Sequence, residues 1–161
     1  MKRSATTPSA ESPAKQLAGF IAKFDPTVAA LARSCRSALR KRLPTAIELV
    51  YDNYNALAIG FCATERASDC IVSLPVTPRG VALCFIYGAK LPDPEKILQG
   101  SGNQTRFIRL ESAATLARPE VEALIRAAIA QAKTPLPASG RGRLIIKSVS
   151  AKQRPRRSAS K

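Results

Sequence analysis

The sequence has no histidine, no tryptophan and a single methionine. Without histidine there is no imidazole to act as general base, complete a Ser-His-Asp triad, ligate zinc or hold haem iron. Four cysteines are present, Cys35, Cys62, Cys70 and Cys84. None forms the Cys-x-x-Cys spacing used by structural zinc or by thiol exchange, so they read as free, buried thiols. Acidic side chains are scarce, 11 against 26 basic, which leaves a formal net charge of +15. The longest apolar run, "VALCFIYGA" from Val81 to Ala89, is far short of the ~20 residues that a membrane-spanning helix needs. The opening "MKRSATTPSAESPAK" places Ser, Thr, Pro and Glu where a secretory signal carries its apolar core. These absences lead us to expect a soluble cytoplasmic protein with no membrane partner, no cofactor, no metal site and no catalytic constellation.

What is present fits one core. The chain has 161 residues, 45% apolar and 23% charged, enough to bury roughly two thirds of its unfolded surface without staples. Its charge is unevenly spread. Residues 134–161 hold eight basic side chains (Arg141, Arg143, Lys147, Lys152, Arg154, Arg156, Arg157 and Lys161) and no acid, more than half of the net charge. We therefore expect a disordered arm over 1–14, a modestly basic domain over 15–133 and a basic, mostly disordered tail over 134–161. Within that tail "RLIIKSV" has strand composition and is a candidate edge strand, although mobility is the leading expectation.

Inside the domain, Leu17, Phe20, Ile21 and Phe24 mark a first short helix. Asp25 followed by Pro26 is an N-cap and first-turn signal, and Val28, Leu31, Ala32, Cys35, Ala38 and Leu39 repeat at helical period up to about Leu43, where Pro44 stops the run. β-branched and aromatic runs then predict strands near 56–62, 70–76, 81–87 and 105–110, with a possible extra one in "AIELVY". The short turn "TPRG" favours antiparallel pairing. "DPEKILQG", from Asp93 to Gly100, carries an N-cap, a first-turn proline and a terminal glycine and predicts a helix of about two turns. From Pro119 the stripe Val121, Leu124, Ile125, Ala128, Ile129 and Ala132 predicts the last long helix. The expected fold class is α+β: two layers, an antiparallel sheet of four to six strands, and two long helices on one face.

Several runs carry a resemblance. "FIAKFDPTVAALARSCRSALRKRLPTA", "IELVYDNYNALAIGF", "LPDPEKILQGSGNQTRFIRL" and "RPEVEALIRAAI" resemble the YdhG-like family of small bacterial proteins, a domain of unknown function, over roughly residues 17–133. The resemblance implies a frataxin-like fold, and through one relative a role as an intracellular iron chaperone. Hard iron ions prefer carboxylate oxygens, yet the first long helix carries Arg33, Arg36, Arg40, Lys41 and Arg42 and no acid. Iron delivery thus rests on the resemblance alone.

Hydrogen-bonding side chains concentrate at Glu48, Tyr51, Asp52, Asn53, Tyr54 and Asn55, just before a strand. Glu48, Tyr51, Asp52 and Tyr54 are candidate ligand-binding residues if Glu48, Asp52 and Asp69 or Asp93 converge at the sheet end. Arg106, closing the glycine-rich "QGSGNQTR", is a fifth candidate as part of an anion cradle; the loop lacks the Gly-Lys-Ser/Thr ending of a nucleotide-hydrolysing P-loop. Cys62 and Cys70 bracket a loop and are candidates to face each other. Arg141, Arg143, Lys152, Arg154, Arg156 and Arg157 are candidate polyanion contacts, with no interleaved aromatics for base stacking. The leading expectation is a binding or carrier module for an unknown small ligand. The alternative is a nucleic-acid-associated accessory protein with weak, salt-dependent binding through the tail and the basic first helix.

Overall fold

The structure is a computed structural model in which residues 11–158 are described. It is an α+β molecule with helices α1 (Pro13–Ala22), α2 (Pro26–Arg42) and α3 (Pro119–Gln131) and strands β1 (Ile47–Asp52), β2 (Leu57–Cys62), β3 (Cys70–Thr77), β4 (Gly80–Phe85), β5 (Arg106–Leu110) and β6 (Leu144–Val149). The six strands form one sheet in the order β5-β4-β3-β2-β1-β6. Neighbours from β5 to β1 run antiparallel, as the short connections predict, but β6 lies parallel to β1. The sheet is therefore mixed, which corrects the expectation of an antiparallel one.

Alternation along the strands sorts the side chains. Val50, Leu57, Ile59, Phe61, Leu74, Val76, Leu83 and Ile108 join Ala32, Cys35 and Leu39 of α2 and Val121, Leu124, Ile125 and Ala128 of α3 in one buried cluster. The opposite parity places Leu49 and Cys62 in a second, smaller cluster flanked by Tyr51, Ile86 and Ile145, and a register shift between Phe61 and Cys62 brings Cys70 onto the same face. Each long helix starts with proline at its first turn, where the missing amide costs nothing.

Three further expectations are corrected. The 93–100 segment is not a helix: the Asp93 carboxylate accepts hydrogen bonds from the Ile97 and Leu98 amides, and Lys96 sits at φ 55°. The side chain captures amide protons that a second helical turn would have given to backbone carbonyls, so the signal for a helix start is used by a turn. Asp25 makes no side-chain cap on α2; its carboxylate instead accepts from the Ser158 amide and pairs with Arg157. Finally, the 134–161 tail, expected to be mostly disordered, is ordered through 158: β6 docks on β1, and the following residues fold back over the β1 end, where the Arg154 amide donates to the Tyr54 carbonyl. Leu144 and Ile146 pack against the main cluster, and this burial is what a composition-based reading of the tail leaves out. The arm over 1–14 lies largely outside the described residues, but α1 already starts at Pro13.

Candidate functional site

Three segments meet at the end of the sheet where β2 and β4 finish and β3 begins. They are the turn Ala67–Asp69, the turn Gly88–Lys90 with the loop that returns to β5, and the C-terminal end of α3. Side chains stitch them together. The Tyr87 hydroxyl donates to the Ser68 carbonyl (2.8 Å), Gln131 Nε2 donates to the Tyr87 carbonyl (3.1 Å), and the Thr134 hydroxyl donates to Asp69 Oδ1 (3.3 Å). The Ala89 amide donates to the Gln104 carbonyl (2.9 Å). Gly88 sits so close to β5 that a Cβ there would fall 2.6 Å from that of Arg106, so no larger residue fits without moving the turn.

Between these segments lies a cavity of about 290 Å³, near the lower end of the ~300–1,000 Å³ range for small-molecule pockets. Its apolar floor is Ile71, Phe85 and Ala128, and its polar wall includes Asp69, Gln104 and Gln131. Lys90 and Lys133 also line it and have no ion-pair partner among the described residues. The Asp69 carboxyl is held below its ordinary range, first by the Thr64 hydroxyl at 2.7 Å and then by Arg66 and Thr134. It is a fixed anion at neutral pH. The cavity thus offers cations and an anion around an apolar floor, a set that orients a ligand with charge at one end and donors at another.

The five expected ligand contacts do not assemble here or anywhere else. Glu48 is buried under α2, where Arg36 donates to both its oxygens (2.7 and 3.0 Å) and Arg40 approaches at 3.4 Å. Asp52 is buried at the far end of β1, held by Arg156 at 2.8 Å and Lys23 at 3.2 Å. Tyr51 belongs to the smaller cluster on the opposite sheet face, and burial, with the Cys62 and Cys70 thiols beside it, pushes its hydroxyl up. Tyr54 is exposed in the turn after β1. Arg106 lies on β5, four strands from β1, a separation of about 19 Å at ~4.8 Å per strand. Its guanidinium donates to the carbonyls of Gly102 and Thr105 and so shapes the loop behind the cavity.

The remaining acids are equally dispersed. Asp93 is occupied by its own turn, and only Asp69 of the four expected to converge lines the cavity. Among the described residues no cluster of three or more Cys, Asp or Glu is placed to hold a metal ion. Cys62 and Cys70 do face each other as cross-strand partners, with both sulfurs beside Gly60; the Cys62 thiol and burial push the Cys70 thiol up. Of the expected polyanion contacts, Arg143 pairs with Glu65, Arg156 with Asp52 and Arg157 with Asp25. Lys152 and Arg154 remain exposed, and Arg141 lies beside α2. Sequence reasoning missed Tyr87, Lys90, Gln104, Gln131 and Lys133, which are spread over three segments and share no spacing. Their common signal is positional: Tyr87 and Lys90 follow β4, Gln104 precedes β5, and Gln131 ends α3 with Lys133 just beyond it, all at the same edge of the core.

No helix of the described residues is long and apolar enough to cross a membrane. Comparison of the chain with family models, with curated proteins and with solved structures finds no match.

Proposed function

We propose that the chain is a binding or carrier module for a small polar ligand, held in the cavity between the Ala67–Asp69 turn, the Gly88–Lys90 turn and the end of α3, and that it is not an enzyme. The single observation that carries this reading is the pairing of two unpartnered cations, Lys90 and Lys133, with the ionised Asp69 around the apolar floor of Ile71, Phe85 and Ala128. A ligand that fits has an anionic group for the lysines, a donor for Asp69 and a short apolar body. An amino-acid-like zwitterion meets all three requirements. The cavity contains no base-activated nucleophile, and Cys70, the thiol at its edge, is held protonated, which supports binding over covalent catalysis.

The same reading takes the fold as YdhG-like, with α2 and α3 packed on one face of the sheet in the frataxin-like manner, and the protein as cytoplasmic. The quoted sequence runs and the single cluster shared by both helices support it. Iron delivery has less support, because Glu48 and Asp52 are ion-paired with arginines and Asp93 is spent on its turn. Native mass spectrometry of protein purified without added metal tests the proposal. The expected result is a non-covalently retained small organic mass, absent from the Lys133→Glu variant. A wild-type chain that carries no such mass, and whose melting is unchanged by zwitterionic and anionic metabolite-sized compounds, contradicts it.

A further inference from the structure

Away from that cavity, α2 carries a concentrated charge. Arg33, Arg36, Ser37, Arg40 and Lys41 recur at the three-and-four spacing that places side chains on one helical face. Together with Ile21 of α1, Pro44 and Arg141 they line a groove of about 530 Å³. The groove thus gathers five cations and no acid in its lining. Among the described residues, the carboxylate paired with its lining is Glu48, shared between Arg36 and Arg40. Arg33, Lys41 and Arg141 are exposed and have no acidic partner among the described residues.

Like charges gathered on one face repel each other and destabilise a helix by a few tenths of a kcal/mol per pair, so the arrangement calls for a compensating anion. We infer that this groove binds the phosphate backbone of a nucleic-acid duplex without reading its bases. Three observations select that partner. The exposed large apolar side chains, Tyr54, Tyr87 and Val149, all lie outside the groove, so it has no apolar face to insert into an anionic membrane. No aromatic ring lines it, so it has no platform on which the bases of a single strand would stack. Arginines dominate the lining, and their planar forks match phosphate oxygens. The tail contributes less than its composition suggests, because Arg143, Arg156 and Arg157 are already paired within the chain.

The test is the salt dependence of binding, by fluorescence anisotropy, to a labelled duplex of mixed sequence. Five groove cations set against one carboxylate leave about four for phosphates, which gives a log affinity against log salt slope near −3.6 and a roughly 100-fold loss from about 50 to about 200 mM salt. Replacing the three unpaired cations (Arg33→Gln, Lys41→Gln, Arg141→Gln) should flatten the slope to about −1. All three are exposed, and an unchanged melting temperature confirms that the variant is folded. The tail variant Lys152→Gln, Arg154→Gln should stay within about twofold of wild type, since neither residue lines the groove. Unchanged duplex binding by the groove variant overturns the inference, as does loss of binding confined to the tail variant. Equal or tighter binding to single strands, or to vesicles of anionic phospholipid, assigns the groove to another partner and also overturns it.

Discussion

Asp52 ends β1 with its side chain fully buried, and a carboxylate in that position persists only with charged partners. Arg156 supplies one from more than a hundred residues away, donating to Asp52 Oδ1 at 2.8 Å and to the Asn53 carbonyl at 2.6 Å. The guanidinium is itself buried, with its carbon 5.5 Å from the Phe24 ring centroid, a cation–π arrangement that offsets part of its desolvation. Truncating Arg156 leaves the buried Asp52 with Lys23, itself nearly half exposed, as its remaining charged partner. Arg156→Ala should therefore cost about 3–5 kcal/mol in urea unfolding, and adding Asp52→Asn should recover part of that loss. A cost under about 0.5 kcal/mol would mean that the pair is loose and solvated. Cys35 makes a second residue-scale prediction. Fully buried on the inner face of α2, its thiol is pushed up by burial from 9.0 to about 11. A thiol whose folded pKa is raised contributes stability that is complete below the unfolded value and is lost as pH rises through the folded one. Stability should fall between about pH 9 and about pH 11 by on the order of 3 kcal/mol from this group. Cys35→Ala should flatten that part of the pH profile, with Tyr51, Cys70 and Cys84, also raised, contributing the remaining slope.

At the scale of elements, β6 is where local signals run out. Stripes at helical period marked α2 and α3, and β-branched and aromatic runs with turn residues between them marked β2 to β5, with β1 only an extra candidate, because in each case the pattern reports burial of the segment itself. The "RLIIKSV" run has equal strand character, but its partner is β1, about a hundred positions earlier, and nothing local encodes that pairing. The same limit applies to Asp93, where an N-cap and an Asx turn begin with the same residues. Gly142 shows how tightly β6 is delivered to its place. A Cβ at this position would lie 1.6 Å from the Ala46 carbonyl oxygen, while the Gly142 amide donates to the Pro44 carbonyl at 3.1 Å. Gly142→Ala must push the chain off the α2–β1 connection and, with it, the start of β6. We expect a loss of several kcal/mol and faster amide exchange along β1, whereas Gly102→Ala, with open space at its Cβ, should be close to neutral. Equal behaviour of the two variants would show that β6 is not seated as described.

For the molecule as a whole, the polar residues divide into those that hold the fold together and those left over for a ligand. Glu48, Asp52 and Arg156, singled out from sequence as contacts, belong to the first group because their charges are consumed in buried pairs. Lys90 and Lys133 belong to the second; Asp69, Tyr87 and Gln131 line the same cavity while also bonded across its rim, and of all these only Asp69 was visible beforehand, as one of several acids that a sheet end gathers. The rest depend on how three chain segments stop at one edge, which the tertiary packing decides. The ligand-binding claim therefore stands or falls on where a ligand touches the full chain. Amide chemical shifts recorded during titration with a panel of small zwitterions and carboxylates give that directly. The account predicts saturable shifts confined to residues 68–71, 87–90, 103–104 and 131–134, lost in Lys133→Glu. Shifts that gather instead on α2, or that fail to saturate with any member of the panel, would contradict it.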